Sequence, residues 1–568
     1  MKTILLLCMV WHFLAYTQGQ TTISYPDIFV PVQSKRGMVS SQESRATEAG
    51  LQVLREGGNA VDAAVTIGFA LAVTLPRAGN IGGGGFMVAY LAKNKEFTAI
   101  DYREKAPKAA TRDMFLDKHG NADPEKSCHS YWAIGVPGTV AGLVYALEKY
   151  GTISLKRALQ PAIALASEGI VMDADLSNSL RITKPRFASC RASMKVFFKE
   201  NGEDYEAGEI WKQPDLAWTL QKIAMQGKEA FYQGEIAQKL IADIQKHGGL
   251  ITAEDLQSYQ PAIRKPVQGT YRGYNIYSMP PPSSGGVHII QMLNILEKFP
   301  LGEWGHNSAK TIHVLAESMR LAYADRSYYL GDPDFIKVPV SGLTSKEYAD
   351  KLRSKIQMNQ ANLSSQIKEG NAIFYETNDT THYSVVDQYG NAVSNTYTLN
   401  HNYGCKIVAE GTGILLNNEM DDFVAKPGTP NSFGLIGGEA NAIHPEKRML
   451  SSMTPTIVTK DGKIFLVTGS PGGSTIITCT LQIILNVIDH RMNIASATNA
   501  SRIHHQWFPD ELRLEVGISP DTISLLREWG HTVSTKDSMG STQSIMLTPQ
   551  GLSGASDPRR PGAMTAGH

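Results

Sequence analysis

The 568-residue sequence predicts a layered α/β or α+β fold, and three observations carry that expectation. Amphipathic helical periodicity dominates the middle of the chain, from Thr139 to Leu363. Strand-like runs separated by glycine turns dominate after Thr380, and the polar segment Gln360–Asp379 divides the two as an exposed connector. Sheets whose outer faces need cover, beside helices able to supply it, give layers.

The first residues read as an export signal. Lys2 precedes an apolar run from Ile4 to Ala15, followed by Thr17, Gln18 and Gly19, which predicts a signal peptide over residues 1–19. The run falls short of the roughly 20 residues a membrane span requires. A secreted or periplasmic protein with no retained anchor is therefore expected. With 54 basic and 54 acidic residues there is no electrostatic reason to expect nucleic acid or an anionic membrane as partner.

From Ser41, Ala46, Ala49, Val53 and Leu54 share a helical face that Gly57-Gly58 ends. Asn59 can cap a second helix, apolar nearly all round from Ala60 to Val73 and ended by Pro76, which predicts burial. Strands are expected over Gly85–Ala92 and Phe97–Arg103, then, past the helical middle and its Met279–Pro282 interruption, over Thr381–Asp387, Ala392–Leu399, Thr456–Thr459, Ile464–Gly469 and Ser544–Leu547. Cys8 leaves with the signal. Cys128, Cys190, Cys405 and Cys479 are too scattered for a disulfide scaffold or a CxxC zinc site and read as buried thiols. Gly82–Gly85 lacks the Gly-Lys-Ser/Thr of a phosphate loop, and His504-His505 lacks the spacing of a zinc protease.

The sequence Asp387-Gln388-Tyr389-Gly390-Asn391 suits a three-residue hairpin loop with Gly390 left-handed. That loop pairs Asp387 with Asn391, and counting back along both strands sets Thr380 opposite Thr398. Opposed residues share a face with β-carbons roughly 5 Å apart. A threonine at a strand start is ordinarily just a β-branched residue in its preferred place. Cut immediately before it, however, the chain gains an α-amine of pKa about 7.7–8.0, able to take the proton of its own hydroxyl.

Several long stretches resemble the γ-glutamyltransferase family: Thr380-Thr381-His382-Tyr383-Ser384, Leu415–Phe423, Leu450–Pro455, Gly469–Ser474, Asp101–Glu104 and Gly554–Arg559. They recur in the family's order from about Ser40 to the C-terminus. The resemblance implies an α+β fold, a four-layer αββα sandwich of the N-terminal nucleophile hydrolase type. It also implies a precursor that cleaves itself between Asp379 and Thr380 into a large subunit (20–379) and a small one (380–568). Thr380 would then take γ-glutamyl groups from glutathione-like donors and pass them to water or to amino acid or dipeptide amines, without metal or organic cofactor.

The same resemblance assigns the site. Arg103, Ser451 and Ser452 would hold the donor's α-carboxylate, Arg103 through its bidentate fork. Glu419 and Asp422, supported by Asn400, would hold its ammonium. Gly472 and Gly473 would offer backbone N–H groups to the oxyanion, and Thr398 would orient the nucleophile. Pro427–Met449 matches a lid of the bacterial branch. Phe433 stands where that branch often has tyrosine, which keeps an aromatic cap, loses the phenolic hydrogen bond and predicts a more mobile lid. Glu419 occupies a position that is glutamine in some members. A related β-lactam acylase, or a catalytically silent binding protein on the same fold, are the competing readings. The first should lack Arg103 with Glu419 and Asp422; the second should lack the nucleophile or the glycines.

Overall fold

A computed structural model describes residues 29–367 and 380–568; the expected signal and Asp379 lie outside the described residues. The first helix spans Ser44–Arg55, later than expected, because Met38–Ser41 is a strand and the Glu43 side chain caps the helix at the Ala46 amide. The second spans Ala60–Thr74 and is buried along its whole length. Asn59 accepts from the Val61 and Asp62 amides while Asp62 accepts from the Asn59 amide, a reciprocal cap that satisfies donors no turn of helix can reach.

Two seven-stranded sheets form the centre. The first runs in the order Met564–Gly567, Met38–Ser41, Thr381–Val386, Ala392–Thr398, Gly84–Leu91, Glu96–Tyr102, Ala262–Arg264. The second runs Val32–Ser34, Gly551–Ser556, Gln543–Thr548, Lys463–Thr468, Thr456–Lys460, Tyr274–Ser278, Val267–Tyr271. Each sheet is therefore woven from segments on both sides of residue 380. The expected strands shift by no more than about a residue at their ends, but the middle region, read as mostly helical, also supplies Ala262–Arg264, Val267–Tyr271 and Tyr274–Ser278. Their alternation is short, and Arg272-Gly273 turns the last two into a hairpin with positive φ at both residues.

Side-chain alternation sorts the layers. Met87, Ala89, Val385 and Val393 join Val65, Phe69 and Leu143 in a core between the first sheet and its helices. Phe86, Val88, Val386 and Ala392 point the other way and meet Ile457, Val467 and Ile545 of the second sheet. Val458 and Leu466 then face helices Gly285–Leu296, Ala309–Tyr329 and Ile476–Ile488 in a third core. Helix, sheet, sheet, helix is the αββα order expected. The four cysteines within the described residues are free thiols, three of them buried.

The hairpin adopts the expected register: Thr381 pairs with Tyr397, and Val386 with Ala392. The Asp387 amide donates to the Asn391 carbonyl at 3.1 Å, and Gly390 has φ +85°. Asp387 Oδ1 accepts from the Tyr389 and Asn391 amides, each at 2.9 Å, and Oδ2 from the Ala60 amide at 2.8 Å. One carboxylate thus ties the turn to the start of the buried helix. Asp387→Ala should lower stability by about 2–3 kcal/mol, since it strips several charge-assisted bonds and orphans the buried Ala60 amide; a denaturant midpoint unchanged from wild type would contradict this.

Candidate active site

Thr380 enters the central hairpin strand of the first sheet, buried at 7% exposure. Continuing the observed register one step sets it opposite Thr398. The Thr398 Oγ1 accepts from the Asn400 amide at 2.9 Å, and a hydroxyl that accepts there still has a proton to donate. Asn80, which the motifs did not single out, fixes this corner. Its Nδ2 donates to the Thr398 carbonyl at 2.8 Å and its Oδ1 accepts from the Gly83 amide and the Thr139 hydroxyl. Gly83 itself must be glycine, because a β-carbon there would collide with the Thr398 carbonyl. That close approach accounts for a glycine that a phosphate loop does not.

Gly472 and Gly473 carry φ of +132° and +53° and precede helix Ile476–Ile488. Both conformations favour glycine, and the helix start directs its dipole's positive end toward them. The ring of Phe433 lies over Gly473, where a β-carbon would come within 2.5 Å of Cδ1. Asn400 holds φ +78° and donates from Nδ2 to the Asn418 carbonyl at 3.0 Å rather than meeting Asp422 directly.

Arg103, Glu419 and Asp422 do meet. Arg103 is 1% exposed; Nη1 lies 2.5 Å from Glu419 Oε2, Nη2 pairs with Asp422, and Nε donates to the Met449 carbonyl at 3.3 Å. Burial opposes the guanidinium's charge, but Glu419, Asp422 and Glu104 outweigh it. Burial raises the Glu419 and Asp422 carboxyls above their ordinary range while Arg103 pulls them back. Despite the ion pair, neither Glu419 oxygen has a well-formed hydrogen-bond partner among the described residues. Asn417 sets this acidic turn: its Oδ1 accepts from the Gly135 and Glu419 amides and its Nδ2 donates to the Gly82 and Gly135 carbonyls. The Asn417-Asn418 pair is therefore internal scaffolding instead of solvated loop.

Ser451 and Ser452 are buried nearby. Ser451 Oγ accepts from the Met453 amide, while Ser452 Oγ accepts from Arg326 Nη2 at 3.2 Å. Arg326 escaped the motif reading, although a cation late in a helix buried over most of its length was the available sign. A cavity of about 1080 Å³ reaches the cluster at Asp422, Asn441 and Leu450, with Arg326 also on its wall. Arg103 and Thr380 are not on that wall, so an occupant gains Arg103 only by displacing part of its acid pairing.

These layers, with a threonine heading a central strand, define an N-terminal-nucleophile hydrolase fold. A Bacillus halodurans cephalosporin acylase shares it with TM-score 0.83 and 27% identity over 97% of this chain and 99% of that one. The family model for gamma-glutamyltranspeptidase matches residues 46–567. The glutathione hydrolase proenzyme of Escherichia coli K12 is 55% identical across 95% of this chain and 93% of its own. The crystal structure of Helicobacter pylori gamma-glutamyltranspeptidase is 51% identical, with TM-score 0.59, across 60% of this chain and 97% of that chain. The chain belongs to the gamma-glutamyltranspeptidase family.

Glu104 yields a pH prediction. It is fully buried 3.7 Å from Arg103 Nη1, and burial pushes its carboxyl up to about 8 against the pull of that guanidinium. An unfolded glutamate titrates near about 4.3, so the folded state holds a proton that the unfolded state has lost. The stability this contributes is complete below about pH 4 and is lost as pH rises through about 8. The Tm of the wild type should fall more steeply between pH 5 and 8 than that of Glu104→Gln; parallel slopes would contradict it.

Proposed function

We propose that this chain is a secreted γ-glutamyltransferase and glutathione hydrolase, made as a proenzyme that cuts its own Asp379–Thr380 bond. The observation that carries the reading is the buried meeting of Arg103 with Glu419 and Asp422, at the same end of the first sheet at which Thr380 enters. A γ-glutamyl donor presents an α-carboxylate and an α-ammonium on one carbon. Its carboxylate replaces the acids on the Arg103 fork, with Ser451 and the Arg326-bound hydroxyl of Ser452 beside it. Its ammonium brings three donors to Glu419 and Asp422, and the Glu419 oxygens are under-used without it. Charge is conserved in the exchange, which limits the cost of working in a buried site.

Scission starts with the Thr380 hydroxyl attacking the preceding carbonyl; the Asp379–Thr380 C–N bond breaks, which frees the Thr380 amine and leaves an ester that water then hydrolyses to the Asp379 carboxylate and the Thr380 hydroxyl. That amine then takes the proton from the Thr380 hydroxyl as Oγ attacks the donor's γ-carbonyl, with Thr398 orienting the nucleophile. The Gly472 and Gly473 amides bear the oxyanion, and collapse expels the donor's amine, protonated by the ammonium of Thr380 itself. Water, or an amino acid or dipeptide amine, resolves the γ-glutamyl ester and restores Thr380. Neither step calls on a metal or an organic cofactor. An acylase specific for uncharged acyl groups would gain nothing from this buried zwitterion-sized set of charges.

Among the described residues no helix is long and apolar enough to cross a membrane. Release into the periplasm or medium follows from the export signal at residues 1–19, and the two products of scission stay together as one folded unit.

Thr380→Ala should leave a single band on a denaturing gel and release no product from a γ-glutamyl anilide. The wild type should give two bands, the smaller beginning at Thr380. Arg103→Lys keeps the charge but loses the fork, and should process normally while KM for the anilide rises about tenfold or more. An uncut wild-type chain with full turnover would defeat the proposal.

A further inference from the structure

The segment proposed as a lid is held at one turn. Asn431 Oδ1 accepts from the Phe433 amide at 3.0 Å and the Leu435 amide at 3.2 Å, which shapes Asn431-Ser432-Phe433 into a fixed bend. The three residues make three different contacts. Asn431 Nδ2 reaches Asp422 Oδ1 at 3.4 Å, the Phe433 ring covers Gly473, and the Ser432 hydroxyl sits between two buried side chains. Ser432 Oγ lies 2.5 Å from Asp421 Oδ2 and 2.7 Å from His401 Nε2, and its amide donates to the same carboxylate at 3.3 Å. Asp421 is braced from behind by the Ser127 hydroxyl at 2.6 Å.

The chemistry of these partners assigns the protons. The Asp421 carboxylate accepts from the Ser127 hydroxyl, the Ser432 amide and the Ser432 hydroxyl, which leaves the serine oxygen to accept from His401 Nε2. Burial holds the His401 pKa down to about 4, so the ring is neutral near pH 7. The arrangement is no second nucleophile: a ring that donates to the hydroxyl cannot accept its proton. The partners' positions in the chain give the contact its meaning. Asp421 precedes Asp422, and His401 follows Asn400, so Ser432 grips the neighbours of two residues placed on the ammonium side of the donor pocket.

We propose that Ser432 is a positioning residue, a latch that ties the lid to the two loops forming the ammonium pocket, so that seating a donor and closing the lid reinforce each other. The inference rests on the donor reading given above. It supplies the lid with a hydroxyl anchor one residue away from Phe433, whose ring has none.

Two variants and two measurements test it in the full processed enzyme. Ser432→Ala removes the hydroxyl, and Ser432→Thr keeps it. Loss of a charge-assisted bond predicts that Ser432→Ala raises KM for a γ-glutamyl anilide roughly tenfold with kcat within about twofold, and that Ser432→Thr restores KM. Hydrogen exchange across residues 427–449 should quicken in Ser432→Ala without ligand, and addition of L-glutamate should slow the wild-type lid more than the alanine variant's. Unchanged KM together with unchanged exchange overturns the latch. So does a fall in kcat and rise in KM that Ser432→Thr shares, which marks simple packing. A wild type that fails to turn over the anilide defeats the donor reading instead, and the exchange of the unliganded lid still decides whether Ser432 anchors it.

Discussion

The register of one hairpin governs this molecule. Pairing Thr381 with Tyr397 puts Val385 and Val393 toward the helices and Val386 and Ala392 toward the second sheet. A slip by one residue would reverse every one of these assignments and expose polar Ser384 and His382 to the wrong layer. The turn at Asp387 prevents the slip by closing on Asn391, and its second oxygen anchors the turn to the Ala60 amide. Geometry at the far end of the hairpin, where Thr380 and Thr398 come abreast, is thus decided some seven residues away by the shape of a loop.

Polarity between the sheets follows from the same register. His382 is fully buried, with Nδ1 2.8 Å from Thr396 Oγ1 and Nε2 3.1 Å from Ser384 Oγ, and burial lowers its pKa to about 3. A neutral ring with both nitrogens engaged is a strut, and its place on the face of Thr380 keeps that end of the strand stiff. The guanidinium cluster uses burial differently. Arg103 is surrounded by three carboxyls that burial makes reluctant to ionise, an arrangement that costs stability where a packed apolar core would not.

Much of this was legible from residue patterns, for identifiable reasons. Asn59, Asp62 and the all-apolar Ala60–Val73 announce a capped, buried helix, and Asp-x-x-Gly-Asn specifies its turn without any tertiary help. The long motifs located Arg103, Glu419 and Asp422, which do converge. What stayed hidden depends on contacts between distant segments. Asn80 matters only because the Thr398 carbonyl arrives beside it, and Arg326 only because Ser452 does. The strands Val267–Tyr271 and Tyr274–Ser278 are too short to outweigh the helical character around them. Ser432 looks like any loop serine until Asp421 and His401 are brought to it.

Scission before Thr380 would sever the polypeptide without separating its products. Both sheets contain hydrogen-bonded neighbours from either side of the break, so pulling the fragments apart means unzipping ladders and opening the three cores that flank and separate the sheets. Heterodimers of this kind have no meaningful dissociation constant short of global unfolding. Mixing two variant enzymes should not yield hybrids, and each molecule keeps for life the partner with which it was born.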